Sequence, residues 1–209
     1  MLHAAAFICA SCTVGVLLAQ RACKGYLARI QQLERECGTD FLTGVLNRKG
    51  GREKMGTMLE LCKRHGKYLG VCIADIDHFK DYNDAYGHLE GDRALRLVAG
   101  ALKQTFARSS DMVCRFGGEE FLVCFSCRDL AEGRARVEAL LAGVASLGIC
   151  TPDTCAGACL TVSVGATFYE PGHDPVTALM NDLIGRADRA LYIAKKNGRN
   201  CAEIMKNEA

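Results

Sequence analysis

Four acidic residues stand in two short segments that could together hold a cation. Asp75 and Asp77 follow the apolar run of residues 69–74, and Glu119 and Glu120 follow a Gly-Gly pair. Glycines at a turn remove side chains, so a bulky ligand can approach the main chain. Carboxylates at strand ends and turns are ligands for hard divalent cations. These segments are therefore a candidate metal site.

Basic residues at separate points of the chain could complete a phosphate-binding site. Lys80 follows Asp75 closely, and Lys195 and Arg199 lie beside Gly198 near the C-terminus. Carboxylates with Mg²⁺, together with Lys and Arg, are the parts that nucleoside triphosphate chemistry needs. From residue types alone we predict metal-dependent phosphoryl or nucleotidyl transfer. Solvated helices that carry charges of both signs are the alternative interpretation.

Apolar periodicity predicts the elements that must position these residues. We expect helices at 47–64, 88–106, 130–147 and 176–196, and strands at 69–75, 113–116, 121–125, 160–168 and 201–205. On the helix at 88–106, one apolar face is expected from Leu89, Leu95, Val98, Leu102 and Phe106. These alternating helices and strands predict an α/β (α+β) sandwich with a central, largely antiparallel five-stranded sheet flanked by helices.

Length and composition limit the class of protein. The 209 residues leave room for one ordinary domain and an appendage. Apolar residues make up 49% and charged residues 24%, which excludes wholesale disorder. Lys and Arg total 26 against 24 Asp and Glu, so we expect no nucleic acid partner.

The N-terminus is apolar. Residues 2–19 contain no Lys, Arg, Asp or Glu. A bilayer-spanning helix needs about 20 residues, so this segment is at the lower limit of length. Arg21, Lys24 and Arg29 follow, so the positive-inside bias would put the rest of the chain in the cytoplasm. We predict a membrane anchor at residues 1–20. The alternatives are a buried helix packed on a cytoplasmic domain, or the truncated end of a longer membrane region.

A helical linker is predicted at residues 21–39. Its apolar residues are spaced 3, 4, 3 and 4 apart, namely Cys23, Tyr26, Ile30, Leu33 and Cys37. That spacing forms the a/d seam of a short coiled coil, which could assist a dimer formed elsewhere. A helix resting this stripe on its own domain is the alternative.

The thirteen Cys are scattered rather than arranged in CxxC pairs. Free, mostly buried thiols in a reducing compartment are the favoured interpretation. The densest group is Cys150, Cys155 and Cys159. A soft-metal or redox site there is the alternative, although the group lacks closed ligand spacing and a nearby His.

One motif points to a known family. Residues 115–121, RFGGEEF, closely resemble the signature of GGDEF-family diguanylate cyclases, with Glu in place of the first acid. Further segments resemble other motifs of this family in the same order: 40–48 (DFLTGVLNR), 75–84 (DIDHFKDYND), 87–92 (GHLEGD), 161–165 (TVSVG) and 190–200 (ALYIAKKNGRN). The resemblance implies a catalytic domain at 40–209, with a fold similar to nucleotide cyclase and polymerase palm domains.

The resemblance also implies roles for the acids. Two Mg²⁺ ions per site, or Mn²⁺ as the alternative, would be held by Asp75, Glu119 and the carbonyl of Ile76. Glu120 would lie near the ribose 3′-OH and help to deprotonate it, so Glu119, Glu120 and Lys80 are the implied catalytic residues.

The remaining implied roles concern GTP. Phe79 and Lys80 would meet the phosphates partly through backbone N–H groups, and Lys195 and Arg199 would neutralise the triphosphate tail. Gly117 and Gly118 are also implied to bind the substrate. Asn83 and Asp92 would recognise guanine, whose two adjacent donors suit a carboxylate and favour GTP over ATP.

The implied reaction condenses two GTP into cyclic di-GMP and two pyrophosphates. One site cannot supply both nucleophile and electrophile, so a homodimer is implied, with proximity supplying much of the rate. With the predicted anchor, we expect the chain at a bacterial inner membrane, with its catalytic domain facing the cytoplasm. If the N-terminal helix is not an anchor, the chain would be cytoplasmic.

A second motif implies product inhibition. Arg108-Ser-Ser-Asp111 lies shortly before Gly117, where many relatives carry an RxxD site that binds cyclic di-GMP. Arg can clamp phosphate and stack on guanine, and Asp can accept from the guanine edge.

Two other functions are weighed against the enzyme. The first is a non-catalytic, membrane-anchored receptor for cyclic di-GMP or GTP that acts through a protein partner. Loss of Asp75, Glu119, Glu120 or Lys80 would mark such a receptor, and the sequence keeps all four residues. A membrane-anchored scaffold would not need the GTP-binding residues together.

Overall fold

The computed structural model describes residue 26 and residues 38–151, 159–171 and 176–205, without the side chains of residues 176–179. The chain divides into two compact units, Met1–Cys37 and Gly38–Ala209. In the first unit, Tyr26 is helical and exposed; the predicted anchor and the rest of the predicted seam lie outside the described residues. Among the helices described, none combines the length and apolar character that a membrane crossing requires.

The second unit contains helices and strands in alternation. In chain order they are α1 (Arg48–His65), β1 (Tyr68–Ile76), α2 (Phe79–Tyr86), α3 (His88–Thr105), β2 (Asp111–Arg115), β3 (Glu120–Cys127), α4 (Leu130–Ala145), β4 (Val162–Tyr169), α5 (Val176–Lys196) and β5 (Ala202–Met205).

Polar side chains set where two of the helices begin. The side chain of Asn47 accepts a hydrogen bond from the N–H of Gly50, so Asn47 caps α1 rather than forming its first residue. Asp129 caps α4 in the same way through the N–H of Glu132. The apolar periodicity gave no range for α2, because a helix this short presents too few turns to show a repeat.

The five strands form one sheet in the order β2-β3-β1-β4-β5. The pairs β1–β3, β1–β4 and β2–β3 are antiparallel, and β4–β5 is parallel. The predicted five-stranded, largely antiparallel sheet flanked by helices is therefore confirmed. Its centre is β1, the strand that ends with the candidate metal ligands.

Both faces of the sheet are buried. On one face, Cys72 and Ala74 of β1 belong to the core cluster that includes α3 and α4. On the other face, Val71 and Ile73 pack in the cluster that includes α1 and α5. Because helices cover both faces, β1 is apolar along its length rather than alternating.

The predicted face of α3 is wrong at its first member. Leu95, Val98, Leu102 and the C-terminal cap Phe106 are buried, but Leu89 is 84% exposed. Leu89 precedes Leu95 by six residues, which at 3.6 residues per turn places it about 120° around the helix from the buried stripe. It therefore points away from the core.

Candidate active site

The candidate site forms where β1 ends beside the start of β3. In the antiparallel register, Asp75 lies opposite Glu120 on one side and opposite Ser163 of β4 on the other. The N–H of Ile76 donates to the carbonyl of Glu119 at 3.4 Å. The pairing of β1 with β3 thus brings together acidic residues that are far apart in the sequence.

The turn between β2 and β3 is closed around Glu120. The N–H groups of Phe116 and Gly117 donate to the carbonyl of Glu120, at 2.8 and 3.3 Å. A Cβ atom on Gly117 would lie 2.5 Å from Oε2 of Glu120. A side chain at position 117 would therefore displace the Glu120 carboxylate from its place against the turn.

Arg115 fixes the position of this turn. Its Nε and Nη2 atoms donate to the carbonyl of Gly118 at 2.9 and 2.7 Å. Its Nη1 atom forms an ion pair with Asp40 at 3.3 Å. Sequence reasoning assigned no role to this pair, since the two residues are distant in the chain and only the fold joins them.

Lys195 of α5 reaches the acidic end of β1. Its Nζ atom lies 2.8 Å from Oδ1 of Asp75, whose side chain is 10% exposed. Burial raises the pKa of the Asp75 carboxyl, Lys195 opposes this change, and the charges of Glu119 and Asp77 reinforce it. The site therefore holds more negative charge than Lys195 alone neutralises.

The carboxyl of Glu120 is also perturbed. Burial raises its pKa, and the charge of Asp75 acts in the same direction. Lys195 partly opposes both effects, while Asp188 and Glu119 add to them. A carboxylate with a raised pKa is a stronger proton acceptor in its ionised form, which suits a general base.

The predicted metal ligands are hard oxygen donors. Among the described residues, no group of three or more His, Cys, Asp and Glu side chains is placed to enclose a metal ion. Asp75 and Glu119 would supply two carboxylates and Ile76 a carbonyl, which leaves coordination positions for phosphate oxygens and water. This donor set, with its unneutralised charge, fits Mg²⁺, which keeps several waters in nucleotide sites.

The chain turns sharply between β1 and α2. His78 adopts a left-handed backbone conformation with φ of 55°, and α2 begins at the next residue. Phe79 is buried and anchors this first turn, whereas the Lys80 side chain is exposed. The first N–H groups of a helix have no partners within the helix, so this end of α2 can bind phosphate oxygens.

Asn83 and Asp92, the predicted guanine ligands, are both half-buried. Asn83 lies on α2 and Asp92 on the adjacent helix α3. A Cβ atom on Gly91 would collide with Oδ1 of Asn83. The side chain of Asn83 therefore packs directly on the backbone of α3, one residue before Asp92.

Asp77 does not join the other acids as a ligand. The sequence placed it with Asp75 in the candidate metal site, but β1 ends at Ile76, before Asp77. Its carboxylate accepts hydrogen bonds from Ser163 Oγ at 2.6 Å, Thr161 Oγ1 at 2.8 Å and the N–H of Asn200 at 3.1 Å. Asp77 is thus a buried structural residue.

The turn that Asp77 holds carries Arg199. Arg199 and Asn200 have φ of 64° and 48°, a conformation that costs free energy for residues other than glycine. The hydrogen bond from Asn200 to Asp77 helps to offset that cost. The Arg199 side chain is exposed, and α5 carries Lys195 four positions earlier.

The RxxD segment lies at the other end of β2 from the Gly-Gly turn. The Asp111 side chain is fully buried and accepts two hydrogen bonds from Arg136, at 3.0 and 2.6 Å. The guanidinium of Arg136 also packs over Phe106 and Phe125. Asp111 therefore already has a partner that sequence reasoning missed, since Arg136 lies on α4.

Arg108 points outward beside a cavity of about 380 Å³. Its Nη1 atom lies 3.0 Å from Oε1 of Glu132, which also accepts hydrogen bonds from Arg128. Hydrogen bonds from the main chain and side chain of Arg128, and then from Arg108, lower the pKa of Glu132 to about 2. Lys67 and Arg128 line the same cavity, so an anion there would meet several cations.

The geometry thus unites Asp75, Glu119, Glu120 and Lys195, and separates them from Arg108 and Asp111. A family profile described as "Diguanylate cyclase, GGDEF domain" matches residues 37–201. The chain belongs to the GGDEF family. The Gly-Gly-Glu-Glu turn at residues 117–120 lies within the matched residues.

Individual GGDEF proteins are similar along most of the chain. The diguanylate cyclase DgcP of Pseudomonas aeruginosa is 36% identical over 183 residues, which are 87% of this chain and 26% of DgcP. The diguanylate cyclase DosC of Escherichia coli is 36% identical over 171 residues, covering 82% of this chain and 36% of DosC. The chain therefore spans only about a quarter to a third of the length of these relatives.

A solved GGDEF structure has the same fold. The coiled coil and GGDEF domain of DgcB from Caulobacter crescentus, in complex with c-di-GMP, superimposes with a TM-score of 0.70. It is 28% identical, and the match covers 92% of this chain and 99% of the DgcB chain.

Proposed function

We propose that this chain is a diguanylate cyclase that condenses two GTP molecules into cyclic di-GMP and two pyrophosphates. The observation that carries this proposal is the register of β1 with β3, which sets Asp75 opposite Glu120 next to a turn closed by Gly117. Family membership supports the same reaction, because the relatives at 36% identity are named diguanylate cyclases.

Asp75, Glu119 and the carbonyl of Ile76 would hold Mg²⁺, or Mn²⁺ in its place. When bound, the ions would neutralise phosphate charge and stabilise the leaving pyrophosphate. Asp75 is buried at the end of a central strand, so its position is fixed before any nucleotide arrives. Lys195, half-exposed beside Asp75, would neutralise the triphosphate together with Arg199 and Lys80.

Glu120 would accept the proton of the ribose 3′-OH that attacks the α-phosphate. Its raised pKa makes the ionised carboxylate a better acceptor, provided that the pH lies above that pKa. The neighbouring turn leaves space at Gly118, which is exposed, for a nucleotide to approach.

Asn83 and Asp92 would select guanine. An ionised carboxylate accepts from both N1–H and the 2-amino group of guanine, whereas adenine offers only an acceptor at N1. The contact between Asn83 and Gly91 supports a fixed orientation of this pair of helices. The substrate is therefore proposed to be GTP rather than ATP.

Two protomers would have to meet with their sites face to face. Each would hold one GTP, so that one nucleotide supplies the hydroxyl and the other the α-phosphate. The apolar spacing at residues 23–37 would assist this homodimer through a short coiled coil.

The test is direct. The purified protein is incubated with GTP and Mg²⁺ at high protein concentration, and cyclic di-GMP and pyrophosphate are quantified. Glu119→Ala should abolish turnover while circular dichroism shows a folded protein, and Glu138→Ala, at an exposed position on α4, should retain it. Absence of product from the parent protein, together with tight GTP binding, would favour the receptor function instead.

Product inhibition is proposed at Arg108 and Asp111, through binding of cyclic di-GMP. The exposed Arg108 and the cationic cavity beside it support this site. Asp111 is bound to Arg136 and accepts a hydrogen bond from the N–H of Arg108, so it would act by fixing the segment that presents Arg108.

A membrane anchor at residues 1–20, with the catalytic domain in the cytoplasm of a bacterium, is also proposed. The uncharged apolar run and the basic residues after it support this orientation. Fractionation of expressing cells tests it: the full chain should sediment with inner membranes and resist salt extraction, and a variant that begins at residue 21 should not.

A further inference from the structure

A surface pair of cysteines lies outside everything that the proposed reaction uses. Cys150 and Cys159 are directly opposite each other in an antiparallel β-bridge, and both are exposed and free. They lie on the connection between α4 and β4.

The hydrogen bonding of this bridge defines how the two residues face each other. The N–H of Leu160 donates to the carbonyl of Ile149 at 2.7 Å. That bond joins the neighbours of the two cysteines, so Cys150 and Cys159 form a non-hydrogen-bonded pair. In such pairs the Cα atoms are about 4.5 Å apart and the side chains lie close together on one face. A disulfide requires Cα atoms about 4.4–6.8 Å apart.

The core holds both strands of the bridge in place. Leu160 is 2% exposed and belongs to the main core cluster, and Ile149 packs against the same cluster. The buried neighbours of the two cysteines therefore hold the two thiols opposite each other. Because the two thiols are already aligned, forming the disulfide costs less conformational entropy.

Most other described cysteines differ in accessibility. Cys62, Cys72, Cys114, Cys124 and Cys127 are buried. Burial raises the pKa of the Cys72 and Cys114 thiols to about 12, which suppresses the reactive thiolate. These residues therefore serve as internal references in any measurement of thiol reactivity.

We propose that Cys150 and Cys159 form a dithiol site that is oxidised to an intramolecular disulfide by a low-molecular-weight disulfide of the glutathione class. The thiolate of one Cys attacks a sulfur of glutathione disulfide, giving a mixed disulfide and releasing one glutathione. The second Cys then attacks the protein sulfur, and the second glutathione leaves. The two cysteines lose two electrons, glutathione disulfide gains them, and the two thiol protons end on the released glutathiones.

The experiment uses the full chain in buffers of increasing ratio of oxidised to reduced glutathione. Samples are quenched with acid, denatured, alkylated and digested, and each Cys is quantified by mass spectrometry. No Lys or Arg lies between residues 137 and 185, so one tryptic fragment carries both residues. Cleavage beside Asp153 then separates Cys150 from Cys159 unless a disulfide joins them.

The expected result is a joint loss of alkylation at Cys150 and Cys159 with a mass lower by two hydrogens and no retained glutathione. Dithiothreitol should restore labelling, and the buried cysteines should label fully throughout. Glutathione retained on either residue without a bond between them would overturn the proposal, as would undiminished labelling of both.

Matched variants identify the partners. Cys150→Ser or Cys159→Ser should abolish the disulfide, whereas Cys201→Ser should leave it unchanged. Cys155→Ser should also leave it unchanged, because the bridge pairs Cys150 with Cys159. Loss of the disulfide in this variant would overturn the assignment. The test does not depend on cyclase activity, so its outcome is independent of the proposed function.

Discussion

The Nζ atom of Lys195 lies 2.8 Å from Oδ1 of Asp75, so α5 delivers a cation to the carboxylate at the end of β1. This contact joins two residues that family resemblance assigns to different tasks, phosphate neutralisation and metal binding. In this arrangement Lys195 limits the repulsion among Asp75, Glu119 and Glu120.

Replacing Lys195 should therefore weaken catalysis in two ways. Lys195→Met removes a phosphate partner and also the charge that opposes the raised pKa of Asp75. We expect kcat/KM for GTP to fall by about 10²-fold or more, the usual scale for a lost electrostatic partner in an active site. Steady-state pyrophosphate release measures this, with Lys63→Met on the exposed side of α1 as the control. Equal losses in both variants would contradict the assignment.

The pH dependence of turnover should reflect the titration of Glu120 and Asp75. A base must be ionised, and burial raises the pKa of Glu120 above the ordinary 4.5. Activity should therefore increase as pH rises through that shifted pKa. Because burial raises the pKa of Asp75 as well, the loss of activity at low pH reflects the coupled titration of Asp75 and Glu120. We call this part of the pH profile the acidic limb.

Glu120→Gln should lower kcat and displace or remove this acidic limb, since one of the two titrating groups is gone. Glu138→Gln, on the surface of α4, should keep the parental profile. The measurement is kcat at saturating GTP across pH, with protein folding checked at each point. An unchanged limb in Glu120→Gln would show that another group titrates.

Gly91 offers a test of the guanine site. In Gly91→Ala the new methyl group would collide with Oδ1 of Asn83, so Asn83 must move. We expect KM for GTP to rise by about tenfold, the effect of losing roughly one good hydrogen bond. Gly100→Ala, in the same helix with nothing near its Cβ position, is the matched control and should leave KM unchanged. A similar KM in the two variants would argue against Asn83 as a ligand.

Arg108→Ala should raise the activity measured as product accumulates. The change removes an exposed guanidinium that is proposed to bind cyclic di-GMP, and it leaves the Asp111–Arg136 pair intact. Initial rates at increasing added cyclic di-GMP measure the effect, with Arg134→Ala on α4 as the control. Equal inhibition of Arg108→Ala and the parent would reject the site.

Glu132 should make stability depend on pH in the acidic range. Its pKa is lowered from 4.5 to about 2 in the folded protein. Its hydrogen bonds with Arg128 and Arg108 therefore stabilise the protein at pH values above 4.5, the pKa of the unfolded state. That contribution should be lost as pH falls from 4.5 towards 2.

Urea unfolding at several pH values tests this effect. Glu132→Gln should be less stable than the parent at pH 7, with the difference shrinking at low pH. Glu138→Gln should show no such trend, because its carboxylate is exposed on α4. A difference that stays constant with pH would mean that charge on Glu132 does not matter.

The sequence predicted the sheet well because its strands are marked by unusual patterns. β1 is a continuous apolar run that closes on an acid, and the turn before β3 contains two glycines. These local signals also located Asp75, Glu119 and Glu120, which the register then brought together.

Partnerships between distant residues were not predictable. Nothing near Asp111 in the sequence indicates Arg136, and nothing near Asp77 indicates Ser163. The sequence placed Asp77 in a candidate metal site and Asp111 in a product-binding motif. Both are bound to protein groups that only the folded chain places beside them. The prediction that Leu89 is buried was wrong for a different reason. Its side chain is apolar, but its position around the helix axis of α3 lies away from the buried stripe.

The order in which the strands pair has a consequence for synthesis. The centre of the sheet, β1, is synthesised before both of its neighbours, β3 and β4, and before α5, which carries Lys195. Pairings over such long separations in the chain form slowly, and a nascent chain emerges from its N-terminus. A ribosome-bound chain that has not yet released α5 therefore carries the acidic cluster without its cation, and the site is complete only after α5 has emerged.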